Sequence, residues 1–198
     1  MSYRIIIKFF VFGVLLIVLM YIALVFHLPK DKALELEQLY AELKNSNREE
    51  LAFQKFKDLG EKACDYLFDK LPQEKDVSMK CKIIYLISEV NCKASSNYFL
   101  SFMYDQHWRV RFLTIHALND MENNHFKNQL PEIIVNDPNI NVKIKAIMVM
   151  GQHGNGGDIK FLQKLAAKKN FSDEKLAKAI DIALEELRSK LGIGVNFD

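Results

Sequence analysis

Two stretches of this chain say the same thing, 32 residues apart. Asp105 opens the run DQHWRVRFLTIHALN, and Asp137 opens DPNINVKIKAIMVMG. At that offset Val110 meets Val142, Arg111 meets Lys143, Ile115 meets Ile147 and Leu118 meets Met150. Self-similarity at a period of about 20–50 residues marks stacked helix pairs. One pair cannot bury its apolar stripe alone, whereas a neighbour with the same stripe completes a continuous core.

The register extends both ways from this centre. Met79, Val110, Val142 and Leu176 fall in one column; Ile83, Thr114, Ala146 and Ile180 in the next; Ile87, Leu118, Met150 and Leu184 in a third. The segments between carry their own apolar beats: Phe99, Phe102 and Met103; then Phe126, Leu130, Ile133 and Ile134; then Ile159, Leu162 and Leu165. Upstream, Arg48–Leu71 reads as one helix with Leu51, Phe53, Phe56, Leu59, Ala63, Tyr66 and Leu67 on a broad apolar face, a close-packed Gly60 inside it, and Pro72 as its stop. Ser46 and Glu49 have capping-box spacing at its start, and Asp76 or Ser78 caps the helix that follows. Asp105 and Asp137 stand as N-caps with Pro138 at a first helical position, Ser172 caps the last helix, and Gly192 stops it.

Here a family comes into view. DQHWRVRFLTIHALNDM resembles a HEAT repeat in its Asp, Val-Arg and Ala-Leu positions, and DPNINVKIKAIMVMGQHGNGGDIKFLQKLA resembles the HEAT-like repeat of phycobiliprotein lyases. The resemblance covers roughly Glu49–Leu191, about four helix pairs, and departs from the pattern at Lys143, where Arg is usual, and at Glu185, where the preceding repeat has Gly151. It implies an α-solenoid whose inner helices line a concave, partner-binding face. It also implies that Arg111 and Lys143 brace the Asp residues of the turns, Asp105 and Asp137.

The N-terminal end adds a second constraint. Phe9–Leu28 holds 20 residues with no formal charge, enough at about 1.5 Å per residue to cross the hydrocarbon core. A cleaved signal would have a shorter apolar region and a small-residue cleavage site, and VFHLPKDKA supplies none, so an uncleaved signal anchor is expected. Arg4 and Lys8 on one side nearly balance Lys30 and Lys32 on the other, and the very short tail favours a cytoplasmic N-terminus with the domain outside or in a periplasm. After Pro29, Leu36, Leu39, Tyr40 and Leu43 form an amphipathic stripe that either packs on the first repeat or forms a stalk. The expected order is a tail at 1–8, a transmembrane anchor at 9–28, a juxtamembrane helix and turn at 29–47, repeats at 48–191 and a flexible tail at 192–198. The fold class is thus all-α: an N-terminal transmembrane helix followed by a short right-handed αα-superhelix.

Catalytic chemistry finds no foothold. GQHGNGG lacks the GK[ST] of a phosphate loop and follows a helix, so Gly151 reads as a helix stop and the rest as a turn. None of the five His residues precedes a Glu, which argues against the His-Glu iron sites of HEAT-like hydroxylases and against HExxH zinc chemistry; His116 reads as structural. No GxSxG is present. With 22 Lys+Arg against 21 Asp+Glu over Ser46–Asp198, the domain lacks the charge excess of a nucleic-acid binder. The odd number of cysteines (Cys64, Cys81 and Cys92) excludes a pure disulfide scaffold; they read as small core residues, with Cys64–Cys92 pairing in an oxidising compartment as the alternative.

What remains is binding. Paired cations open the successive long helices: Lys80 and Lys82, Arg109 and Arg111, Lys143 and Lys145. Stacked at the repeat spacing, they suggest a basic stripe for an acidic peptide or anionic headgroup, although two residues along a helix turn about 200°, so both members of a pair cannot share a face. Trp108 is its aromatic anchor if exposed, and inter-repeat packing otherwise. The expected function is a non-enzymatic, membrane-anchored scaffold or adaptor, without cofactor or metal, meeting protein partners and the bilayer but no nucleic acid. The alternative is an accessory or chaperone-like subunit of a multi-protein membrane or secretion complex.

Overall fold

The computed structural model describes residues 32–92, 97–121, 124–168, 171 and 173–193. The expected tail at 1–8, the anchor Phe9–Leu28, Pro29, the Ser172 cap and all but the start of the 192–198 tail lie outside them. Regular structure among the described residues is helical throughout, and no helix there is long and apolar enough to cross a membrane. The chain divides into two compact units, Met1–Asp58 and Leu59–Asp198.

In the first unit, α1 (32–43) and α2 (Glu49–Leu59) flank a turn in which Asn45 Oδ1 accepts the amide of Asn47 at 3.1 Å. Arg48 and Glu42 pair at 3.1 Å beside it. Leu39, Tyr40 and Leu43 are buried as the 3–4 spacing of the stripe requires, and so are Ala52 and Phe56, but Leu51 is exposed.

The single helix expected over Arg48–Leu71 is broken. Gly60 has φ +58° and begins a 3-10 turn, Gly60–Ala63, after which α3 (Cys64–Lys70) resumes. Apart from its own chain neighbours, no atom lies within 4 Å of a Cβ built on Gly60, so the glycine is there for its left-handed backbone and makes no close packing contact.

The second unit alternates short and long segments. The long helices are α4 (Val77–Glu89), α6 (Trp108–Asp120), α8 (Ile140–His153) and α10 (Glu174–Lys190). Between them lie α5 (Asn97–Ser101) with the 3-10 turn Phe102–Tyr104, α7 (Leu130–Asn136) after the 3-10 turn Asn124–Gln129, and α9 (Gly156–Ala166). Each long helix packs on the next, α4 on α6, α6 on α8 and α8 on α10; α3, the Phe102–Tyr104 turn, α7 and α9 each pack on the long helix that follows. All three columns read from the sequence are buried, from Met79, Val110, Val142 and Leu176 through to Ile87, Leu118, Met150 and Leu184. Thr114, the polar member, gives its hydroxyl to the Val110 carbonyl at 2.8 Å.

Helix starts differ from expectation in an informative way. Asp76 does cap α4, accepting from Met79 N. Asp105 and Asp137, however, are not caps: His107 and Asn139 cap α6 and α8, and Pro138 lies before the cap. Each Asp instead stands two residues earlier and accepts the amide of the cap residue at 2.8 Å, which leaves its second oxygen for a cation. The last helix is capped by Asp173, which accepts from Lys175 N and Leu176 N. Two helices end in Schellman turns: Asn91 (φ 55°) turns Cys92 back to donate to Ile87 O, and Gly192 (φ +65°) turns Ile193 back to Arg188 O.

Gly151 is no helix stop. It is buried inside α8, which runs on to His153, and a Cβ built on it would lie 2.8 Å from Ala183 Cα on α10. The absent side chain is what lets α8 and α10 approach. Gly154 is the true end, and Asn155 with Asp158 forms a capping box for α9. The cysteines also depart from the preferred reading: Cys64 and Cys92 form a disulfide across 28 residues, tying α3 to the end of α4, and Cys81 is a free, half-buried thiol. Closing a loop of that size contributes about 3.6 kcal/mol by the chain-entropy relation.

Gly151→Val is expected to destabilise the protein by about 1–3 kcal/mol, the usual cost of overpacking, read as a lower denaturant midpoint with unchanged m-value. An unchanged midpoint would show that α8 and α10 do not meet at this residue.

Candidate functional site

The predicted cation stripe separates into two groups when the helices are packed. Lys80, Arg111 and Lys143 turn toward the loops. Lys80 Nζ lies 2.8 Å from Asp105 Oδ2, reaching 25 residues along the chain. Arg111 does the same one repeat later: Nε and Nη2 grip both oxygens of Asp137 at 2.6 and 2.8 Å, 26 residues on. Its Nη1 donates to the carbonyls of Asp105 (2.8 Å) and Gln106 (3.2 Å). Arg111 is thus held by its own loop while bracing the next, and both side chains of the pair are buried, 9% and 5% exposed. The bond to Asp137 outweighs burial and keeps Arg111 more basic than an ordinary arginine. The resemblance implied that Arg111 and Lys143 brace the Asp residues of their own turns; instead the Arg111 guanidinium takes the carboxylate of Asp137 in the following turn, meets Asp105 only through its carbonyl, and leaves the Asp105 carboxylate to Lys80.

The third rung differs, since at the 34-residue step of the last repeat the position equivalent to Asp137 is Phe171. Lys143 instead donates to Val135 O at 2.8 Å and stands over the Phe171 ring. These three cations therefore stand in structural roles at the loop end, off the face that the other members of each pair occupy.

Lys82, Arg109 and Lys145 belong to the opposite face, as the 200° rotation requires. Arg109 is exposed and stacks over Trp108 at 5.5 Å, while half-buried Trp108 lies flat against His107. Lys145 Nζ sits 5.9 Å above the Phe112 ring; burial lowers its pKa, and Asp120 partly restores it. His116 Nδ1 is 2.9 Å from Asp120 Oδ2 on the same helix, which agrees with a structural role.

Between these cations the face is apolar. A cavity of about 510 Å³ is lined by Val77, Ser78 and Cys81 of α4, by Trp108, Arg109, Phe112 and Leu113 of α6, and by Asn141 and Ile144 of α8. Its lining is repeat register made visible: Ser78, Arg109 and Asn141 are equivalent positions, as are Cys81, Phe112 and Ile144. The first turns of three long helices meet there, so the groove runs across them. Lys82 and Lys145 are the equivalents of Leu113 and stand on either side of it in the register.

Val77, Cys81, Phe112, Leu113 and Ile144 were missed by the sequence reading. The signal existed, as apolar side chains in register on the face opposite the buried columns, but a search for charge and motif passes over it. Among the described residues no group of three or more His, Cys, Asp or Glu side chains is placed to hold a metal ion. Compared with known proteins, the chain matches no family model and no curated protein.

Burial raises the Cys81 thiol above its ordinary pKa of 9.0, with Arg109 pulling it back and Asp105 adding to the rise. A raised pKa means the folded state holds the proton longer than the unfolded chain, so this group favours the fold below pH 9 and the contribution fades as pH climbs through its titration. Alkylation of Cys81 by iodoacetamide at pH 8 is expected to be several-fold slower in the folded protein than in denaturant, with a rate profile displaced to alkaline pH. Equal rates in both states would place the thiol in open solvent.

Proposed function

We propose that this protein is a membrane-anchored protein-interaction module, a scaffold or adaptor that works by binding and carries out no bond chemistry. The observation that carries the reading is the apolar groove across α4, α6 and α8. An exposed face built from equivalent positions of successive helices is what a repeat protein offers a partner. In this reading the second unit is a short right-handed αα-superhelix of HEAT-like repeats. The buried columns at steps of 31, 32 and 34 residues support that, as does the transfer of each brace to the next turn. Phe9–Leu28 is its single membrane span, on the sequence argument alone.

The disulfide supports the outside location. Cytosolic thiols are kept reduced, whereas a Cys64–Cys92 bond persists in a periplasm, a secretory lumen or the cell exterior. Acid-trapped cells treated with a polyethylene-glycol maleimide under denaturing conditions are expected to show one adduct per chain without reductant, on Cys81, and three after reduction. Three adducts in both samples would put the domain in a reducing compartment and remove this part of the reading. For the binding part, partners recovered from solubilised membranes are expected to be lost from Phe112→Asp and kept by Lys160→Glu, a control on the exposed side of α9. Recovery of the same partners by both variants would count against the groove as the docking face.

A further inference from the structure

The groove has a chemistry that selects its occupant. Its floor is Val77, Cys81, Phe112, Leu113 and Ile144, which suits aliphatic or aromatic side chains. Arg109 is the charged side chain in the lining, with Ser78 and Asn141 as the polar ones. Lys82 and Lys145 stand in register on either side of Leu113. Moreover, α4, α6 and α8 all begin at this edge, at Val77, Trp108 and Ile140, so the partial positive charge of three helix N-termini adds to that of the side chains. Among the carboxylates near the groove, Asp105 is paired with Lys80, Asp76 caps α4, and Asp120, about two turns down α6 from Phe112, pairs with His116 and offsets part of the Lys145 charge, which leaves exposed Arg109 as the principal cation of the rim. An apolar floor with a positive rim is complementary to an amphipathic segment with an apolar stripe and acidic flanks.

Resting on the interaction reading above, we propose that the groove receives a short amphipathic peptide segment of a partner protein, apolar on one face and acidic beside it, with a carboxylate at Arg109. Three adjacent helices at axis spacings of about 9 Å offer roughly 18 Å, the length of a helical segment of about 12 residues. Apolar anchors at i, i+3 and i+4 would meet the floor, as in helix-in-groove recognition. A stretch of flat basic surface would take any polyanion; this one asks for apolar side chains and acid together.

The chain carries two reporters in the groove, its single tryptophan, Trp108, and its free thiol, Cys81. Full-length protein in phosphatidylcholine nanodiscs is titrated with a Leu/Glu amphipathic peptide of about 12 residues, its Leu/Lys counterpart, and lysophosphatidylglycerol. The Leu/Glu peptide is expected to slow Cys81 alkylation about tenfold and shift Trp108 emission, and the Leu/Lys peptide to do neither; tenfold corresponds to about 1.4 kcal/mol. Arg109→Glu, a change at an exposed residue whose unchanged helical circular dichroism is checked first, is expected to reverse the preference between the two peptides. Equal protection by both peptides, or protection by neither, overturns the proposal. Protection by lysophosphatidylglycerol with neither peptide active also overturns it and assigns the groove to an acyl chain. Membrane partners that persist in Phe112→Asp while the Leu/Glu peptide fails leave the interaction reading standing and remove the groove from it.

Discussion

Arg111 is where two repeats become one body. Its guanidinium spans the loop before its own helix, through the carbonyls of Asp105 and Gln106, and the loop before the next, through both oxygens of Asp137. A charged pair this deeply buried is tolerated because nearly every donor and lone pair has a partner, and removing one member leaves the other uncompensated at a cost of about 3–5 kcal/mol. A lysine in its place would retain the charge and lose the fork. Lys80 and Asp105 make the simpler form of the same brace one step earlier. Each Asp also fixes its loop by accepting the amide of the residue that caps the helix, so helix start, loop shape and inter-repeat spacing are set together.

That coupling has a consequence on the opposite side of the helices. With the starts of α4, α6 and α8 held in register at the loop end, equivalent residues are brought level, and the groove of Val77, Cys81, Phe112 and Ile144 is the exposed result. The paired cations divide the labour by helical geometry. One member of each pair faces the loops and holds the stack; the other stands at the rim of the apolar face.

The far ends of the helices are secured differently. Gly151 admits Ala183 to near contact, so α8 and α10 are joined by backbone proximity where α6 and α8 are joined by an ion pair. At the start of the unit the Schellman turn at Asn91 delivers Cys92 to Cys64, and a covalent link does the work there. Three kinds of contact thus close one stack, each suited to the residues available at that junction.

The sequence by itself determined how the long helices are phased and which of their residues form the three buried columns, though not that Leu51 is exposed. Periodicity is a local property, and every member of the three columns lies in the core. It also narrowed the α4 cap to Asp76 or Ser78, of which Asp76 is the one used, and placed the stop at Gly192, where short-range backbone chemistry decides. Tertiary structure decided the rest. Asp105 and Asp137 have the composition of caps, but a cation from the preceding repeat draws them into a brace, and His107 and Asn139 take the caps. Gly60 and Gly151 look alike in sequence; one breaks a helix by its positive φ and the other admits a neighbour, and only packing tells them apart. Cys64 and Cys92 meet because a helix, a turn and its reversal return the chain to its starting point. The groove belongs to no single segment. It exists because three helices bring equivalent residues together, and a single strand of sequence does not display that adjacency.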